Sequence, residues 1–166
     1  MNVKILTAFA AVALLAACSD DTSSYGGSGT GSAMGTGANG SANGAGGVAG
    51  SQDDLTANVG DRVYFDYDMS TLKGEGRATL DRQAAWLARY ARVSVQVAGN
   101  CDERGTEEYN IAIGQRRASA ARDYLVAKGV ASARVTTISY GKDRPTALGS
   151  NEAAWAQNRN AITSVR

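Results

Sequence analysis

The alternating residues Val93, Val95 and Val97 run without a break into a polar turn, Gly99-Asn100-Cys101-Asp102-Glu103-Arg104-Gly105. From there the chain enters a helical pattern that continues to about Lys128. A strand that feeds a helix through so short a turn ties both elements to one core and decides which side chains meet at the turn's mouth. Thr106, followed by Glu107 and Glu108, marks the helix start: a hydroxyl cap, then acids against the positive end of the dipole. At roughly 100° per residue, Tyr109, Ile113, Ala120, Ala121 and Tyr124 share an arc that should face a core. Arg117 lies near the middle of that arc, on the line Tyr109–Ile113–Arg117–Ala121–Leu125. An isolated buried charge is too costly to persist, so this guanidinium must meet a carboxylate, reach water through a cleft, or bind an anion. Asp102 and Glu103 are the nearest carboxylates, and Asn110, near the same azimuth, is placed to hold the turn. An acid and a base converging there form either an internal clamp for the loop or a site for a zwitterionic ligand.

The 166 residues suffice for one ordinary domain and a tail. Net charge is +1, and it falls to zero without Lys4, the one charged residue of the first seventeen. With charges interspersed and balanced, no nucleic-acid surface is expected. The chain has no His, which removes the usual general base and the usual zinc ligand together, and no cofactor or metal is implied. Its two Cys, Cys18 and Cys101, stand in unrelated contexts and make no disulfide framework. Cys101 reads as a small packing residue.

Residues 1–17 carry Lys4 and then an apolar run from Ile5 to Ala17, too short to span a bilayer and fitting a secretory leader. The run ends Leu14-Leu15-Ala16-Ala17-Cys18, which resembles the lipobox of bacterial lipoproteins. That resemblance implies cleavage before Cys18 and acylation of its sulfur and amine, several chains giving a stable anchor where one would not. Ser19 after the cysteine implies, by the sorting rule of such lipoproteins, the outer membrane. Residues 18–58 are rich in Gly, Ser, Ala and Asn and read as a lipidated N-terminus followed by a flexible linker. About forty such residues have an r.m.s. reach on the order of 35 Å.

Residues 59–166 form the folded domain. Strands are expected over Arg62–Asp68, Val93–Ala98, Arg134–Tyr140 and Arg159–Val165. Helices are expected over Lys73–Tyr90, from Thr106 to near Lys128 with Gly129 as its cap, and over Asn151–Asn158. Their alternation predicts an α+β fold, a βαβαβ-type domain with a mixed four-stranded sheet and helices on one face.

Several of these stretches in order, Val63-Tyr64-Phe65-Asp66-Tyr67-Asp68, Asp102-Glu103-Arg104-Gly105-Thr106, Tyr109-Asn110 and Arg116-Arg117-Ala118, resemble the OmpA-like peptidoglycan-binding domain family. Ile138-Ser139-Tyr140-Gly141-Lys142 and Asn151 through Arg159 extend the resemblance over roughly residues 60–166. It implies a non-enzymatic module that binds the meso-diaminopimelate of the peptidoglycan stem peptide through Asp102 and Arg117, with Asp68, Tyr67 and Thr106 lining the groove. It further implies a link between outer membrane and cell wall from the periplasmic face, with TolB and the Tol system as protein partners, in support of envelope integrity and cell division. Three positions depart from the family pattern: Asn100 where a His is usual, Ala98 where an acid is often found, and Asn160 where a second Arg often follows Arg159. A competing reading makes Asp102 and Glu103 the acid/base pair of a wall hydrolase; adjacent turn residues are poorly placed for it, because glycoside hydrolysis needs carboxylates about 5–9.5 Å apart across the substrate. A third makes the chain a lipoprotein that binds only proteins. On the wall-binding reading, Arg117→Ala loses binding to the wall with a modest change in stability, the acid left behind lying near solvent.

Overall fold

The computed structural model describes residues 47–166. The leader, Cys18 and the linker as far as residue 46 lie outside the described residues.

Strands β1 (Arg62–Tyr64), β2 (Val95–Asn100), β3 (Val135–Gly141) and β4 (Asn160–Val165) make one sheet in the order β1-β4-β2-β3. Only β2 and β3 run parallel, which requires a long crossover, and helix α3 (Glu107–Ala127) supplies it. The other pairs are antiparallel, so the sheet is mixed as expected. Helix α2 (Gly74–Arg89) packs with α3 on one face through Leu80, Leu87, Ala118, Ala121 and Leu125, against Val63, Val95, Val97 and Val135 of the strands. A short α4 (Glu152–Asn158), capped by the Asn151 side chain, leads into β4.

The strand expected over Arg62–Asp68 stops at Tyr64. Its partner β4 begins at Asn160, so beyond Phe65, whose N–H still reaches Arg159 O at 2.8 Å, there is no ladder left to extend. The freed residues turn back on themselves, Met69 N–H donating to Asp66 O, with Asp68 in the left-handed conformation at φ 56°. Asp tolerates that region better than most residues.

The linker expected through Asn58 ends sooner. Gln52–Asp54 is helical (α1) and continues as a wider π-type turn over Leu55–Val59. Leu55, a lone large apolar side chain in a small-residue stretch, is fully buried and recruits the segment to the core. Asp54 secures it, accepting from Gly50 N–H (2.8 Å), Asn58 Nδ2 (2.8 Å) and Trp86 Nε1 (2.9 Å).

Candidate functional site

The site is built where β2 hands over to α3. Gly99 admits the helix: a Cβ there would stand 1.8 Å from Gly114 O, so strand and helix backbones touch. A bulge follows between Gly99 and Asn100, and Cys101 N–H donates to Gly141 O at 2.7 Å, closing the strand. Gly105 takes φ +93°, and Thr106 caps α3 by accepting from Tyr109 N–H. Asn110 holds the turn as expected, its Nδ2 donating to Arg104 O (2.9 Å) and Thr106 O (3.0 Å).

Arg117 is 1% exposed, as its helical phase demanded. Its partners, however, are backbone carbonyls: Met69 O by Nε (2.9 Å), Asn100 O by Nη1 (2.8 Å) and Asp66 O by Nη2 (3.1 Å). Nη1 also reaches Cys101 Sγ at 3.4 Å. The guanidinium thus pins the β1–α2 loop to the end of β2. Of its five N–H donors four are engaged, which leaves one on Nη2. Burial pulls its pKa below the ordinary value, against the opposing pull of Cys101 and Asp102.

Asp102 is 4% exposed and does not pair with Arg117. Its oxygens are held by Arg104, through Nε (3.1 Å), Nη2 (2.7 Å) and the backbone N–H (3.2 Å), and by Arg159 Nη1 (3.3 Å). Arg159 continues to Glu152 Oε1 (2.7 Å) on α4. The Asp102–Arg117 clamp is therefore corrected: acid and base converge on one place, but the acid is paired with Arg104 and Arg159 while the guanidinium is solvated by backbone carbonyls. The expectation of a modest stability change on losing Arg117 falls with it, because neither group lies near solvent.

Burial works to raise the Asp102 carboxyl, but the hydrogen bonds from Arg104 and Arg159 outweigh it and hold the group below the usual carboxylate range. A depressed folded-state pKa contributes stability that is complete above the unfolded value, about 3.9, and is lost as pH falls through the folded one. Urea midpoints should therefore hold steady from neutral pH to mildly acidic pH and drop below about pH 4. Asp102→Asn should show a shallower acid decline than the wild type.

A hollow of about 50 Å³ opens between these elements. Tyr67, Asp68, Asp102, Arg104, Tyr109 and Arg117 are among its lining residues. Four of the five sequence-expected ligand residues, Asp102, Arg117, Asp68 and Tyr67, thus share one concavity. Thr106 is not among its lining residues; its oxygen serves as the helix cap. Tyr109 OH donates to Asp68 Oδ1, and this bond to the carboxylate raises the phenol's pKa.

Sequence reasoning missed Arg104 and Arg159 as partners of Asp102. Arg104 was signalled by its place two residues on in the turn. Arg159, 57 positions away, carried no local signal. Two of the departures from the family pattern, Asn100 and Asn160, turn out to be neighbours: Asn100 Nδ2 donates to Asn160 Oδ1 at 2.8 Å, and Asn160 in turn donates to Gln157 O and Thr146 Oγ1. The match is incomplete, since buried Asn100 Oδ1 finds no partner. Glu103 points elsewhere, accepting from Trp155 Nε1 at 3.0 Å.

The OmpA family model matches residues 64–159. A peptidoglycan-associated lipoprotein of Mesorhizobium japonicum is 53% identical over 116 residues, covering 70% of this chain and 69% of the relative. One from Haemophilus influenzae is 41% identical over 160 residues, covering 96% of this chain and 95% of the relative. The crystal structure of the peptidoglycan-associated lipoprotein from Burkholderia pseudomallei superposes with a TM-score of 0.62 at 42% identity, over 64% of this chain and 90% of that one. The C-terminal domain of Helicobacter pylori MotB, at 18% identity and a TM-score of 0.60, shares the fold. With a mixed sheet, a strand–turn–helix hollow and relatives that agree over most of the described residues, the chain belongs to the OmpA family, among relatives named peptidoglycan-associated lipoproteins.

Proposed function

We propose that this chain is a lipid-anchored protein of the outer membrane, facing the periplasm, that binds peptidoglycan without covalent attachment by gripping the zwitterionic end of meso-diaminopimelate. The observation that carries this reading is the single hollow lined by a carboxylate, Asp102, and a guanidinium, Arg117. That end of the ligand presents an ammonium and a carboxylate on one carbon. The carboxylate goes to the remaining Nη2 donor of Arg117, and the ammonium to the acids Asp102 and Asp68. A volume near 50 Å³ suits such a head group, with the rest of the stem peptide lying across Tyr67 and Tyr109, 61% and 47% exposed at the rim. Thr106, beside the rim with its hydroxyl proton unengaged by the cap, completes the proposed contacts. Acylated Cys18 supplies the membrane end, and TolB of the Tol system is the proposed protein partner, so that the envelope layers stay joined during growth and division.

The hydrolase reading gains nothing here. Asp102 is enclosed by two arginines and Glu103 is engaged by Trp155, so the two carboxylates do not face each other across a cleft.

Retention on purified sacculi tests the proposal. Asp102→Asn keeps the size of the side chain while removing its charge, and is expected to lower retention at least about tenfold, the loss of a charge-assisted contact worth roughly 1.4 kcal/mol or more. Retention equal to wild type by a folded Asp102→Asn protein would exclude this mode of binding. Release of soluble muropeptides from the same sacculi would instead favour the hydrolase.

A further inference from the structure

Within the protein itself, the Asp102 carboxylate is fully engaged. An ionised carboxylate offers about four acceptor positions. On Asp102 three are filled by Arg104 and the fourth by Arg159. An arriving ammonium therefore meets no free lone pair there. The two side-chain bonds from Arg104 form the parallel fork that guanidinium and carboxylate prefer.

The same guanidinium is stacked between two aromatic rings, 4.3 Å from the centroid of Tyr67 and 4.1 Å from that of Trp155. One of those rings, Tyr67, lines the hollow, as does Arg104 itself. Yet Arg104 keeps 31% of its side chain exposed, whereas Arg159, on the other side of the acid, keeps 7%. Of the two cations on Asp102, Arg159 is built in, tied also to Phe65 O and Glu152, and Arg104 faces the opening. Rotation of the Arg104 side chain outward would uncover two acceptor positions on Asp102 and one face each of Tyr67 and Trp155, without disturbing a core residue.

We infer that Arg104 is a resident cation: its guanidinium stands where a ligand ammonium would bind, and a cationic ligand head must displace it to reach Asp102. Arg104 then acts as a specificity filter. A head group gains a place only if it bonds Asp102 better than the tethered guanidinium does, which a neutral or singly bonding group fails to do. This rests on the proposed wall-binding reading for the identity of the natural ligand, but the masking of Asp102 is testable without it.

Two measurements on the whole chain decide the matter. In the first, methylammonium is titrated while the side-chain carboxyl carbon of Asp102 is followed by NMR. A saturable shift is expected in Arg104→Ala and none over the same range in the wild type. No response in a folded Arg104→Ala protein, or equal responses in both, overturns the inference. In the second, sacculus binding is compared. If the docked Arg104 leaves about a tenth of molecules open, Arg104→Ala should bind about tenfold more tightly. Arg116→Gln, which removes an exposed positive charge one position before Arg117, should bind like wild type. Binding by Arg104→Ala that is equal to or weaker than wild type, or an equal gain in Arg116→Gln, also overturns it. A methylammonium response in Arg104→Ala, with no protein retained on sacculi, would uphold the resident cation and discard the wall-binding reading instead.

Discussion

Arg117→Ala is expected to destabilise the domain by on the order of 2–5 kcal/mol, the range for cutting a large, fully buried side chain back to alanine. The deletion also takes the guanidinium donors from the carbonyls of Asp66, Met69 and Asn100; Asp66 O keeps the Met69 N–H and Met69 is exposed, so the full penalty falls on buried Asn100 O. An unsatisfied buried acceptor is penalised by about 1–3 kcal/mol. Against a total stability of roughly 5–15 kcal/mol for a domain, that is a large share, and it should appear as a marked fall in the urea midpoint. Arg117→Lys restores the charge but not the fork, and should fall between the two. A midpoint within experimental error of wild type for Arg117→Ala would show that the loop between β1 and α2 is held by something else. The consequence for binding assays is direct. Loss of sacculus retention in an Arg117 variant reports unfolding as readily as a lost contact, so Asp102→Asn and the Arg104 variants are the informative ones.

Gly99→Ala should be more damaging still. Its Cβ would lie 1.8 Å from Gly114 O and 2.6 Å from Gly114 C, both backbone atoms of α3, so no rotamer change relieves the overlap. The helix must move off the sheet by more than an ångström, opening the core around Val97 and Ala118 where the backbones of β2 and α3 meet. Overpacking of cores generally costs about 1–3 kcal/mol when side chains can adjust. Here they cannot, and the variant is expected to be insoluble or to lack a cooperative thermal transition. The reciprocal Gly114→Ala meets Ser139 Oγ at 2.3 Å, a side chain that can rotate, but also Gly99 O at 2.9 Å. It should be destabilised yet folded. A Gly99→Ala protein with wild-type stability would refute the close approach.

What could be read from the sequence was what is local. The cap at Thr106, the turn-holding Asn110 and the burial of Arg117 each follow from spacing within α3 and the turn before it, where 3.6-residue periodicity and capping chemistry decide the outcome. The mixed sheet followed from alternating elements, but the strand order β1-β4-β2-β3 did not. What escaped is what depends on contacts between distant segments. The pairing of Asp102 with Arg159, and of Asn100 with Asn160, joins β2 and its turn to residues around the start of β4, and neither partner is marked by composition. Leu55 and Asp54 looked like the end of a linker because the surrounding residues are small and polar; only the packed core shows a place for that one leucine. For Arg117 the sequence left open a carboxylate, water through a cleft or an anionic ligand. Backbone carbonyls, invisible in a sequence, served as well.

The seating of α1 bears on mechanical load. Gln52 Oε1 accepts from Val165 N–H at 2.7 Å, so the N-terminal segment is fastened at the far end of β4. Because β4 runs antiparallel to β2 with Val165 opposite Val95, that point lies at the end of the sheet remote from Asn100 and the hollow beyond it. Tension between the N-terminal chain and a ligand held in the hollow would therefore pull along the strands. Ladder bonds lie across the strands in antiparallel pairs, so they would be strained in shear and must yield together rather than unzip one after another. The lifetime under such tension is set by the unfolding rate, and on the proposed function this is the direction in which the domain would be loaded.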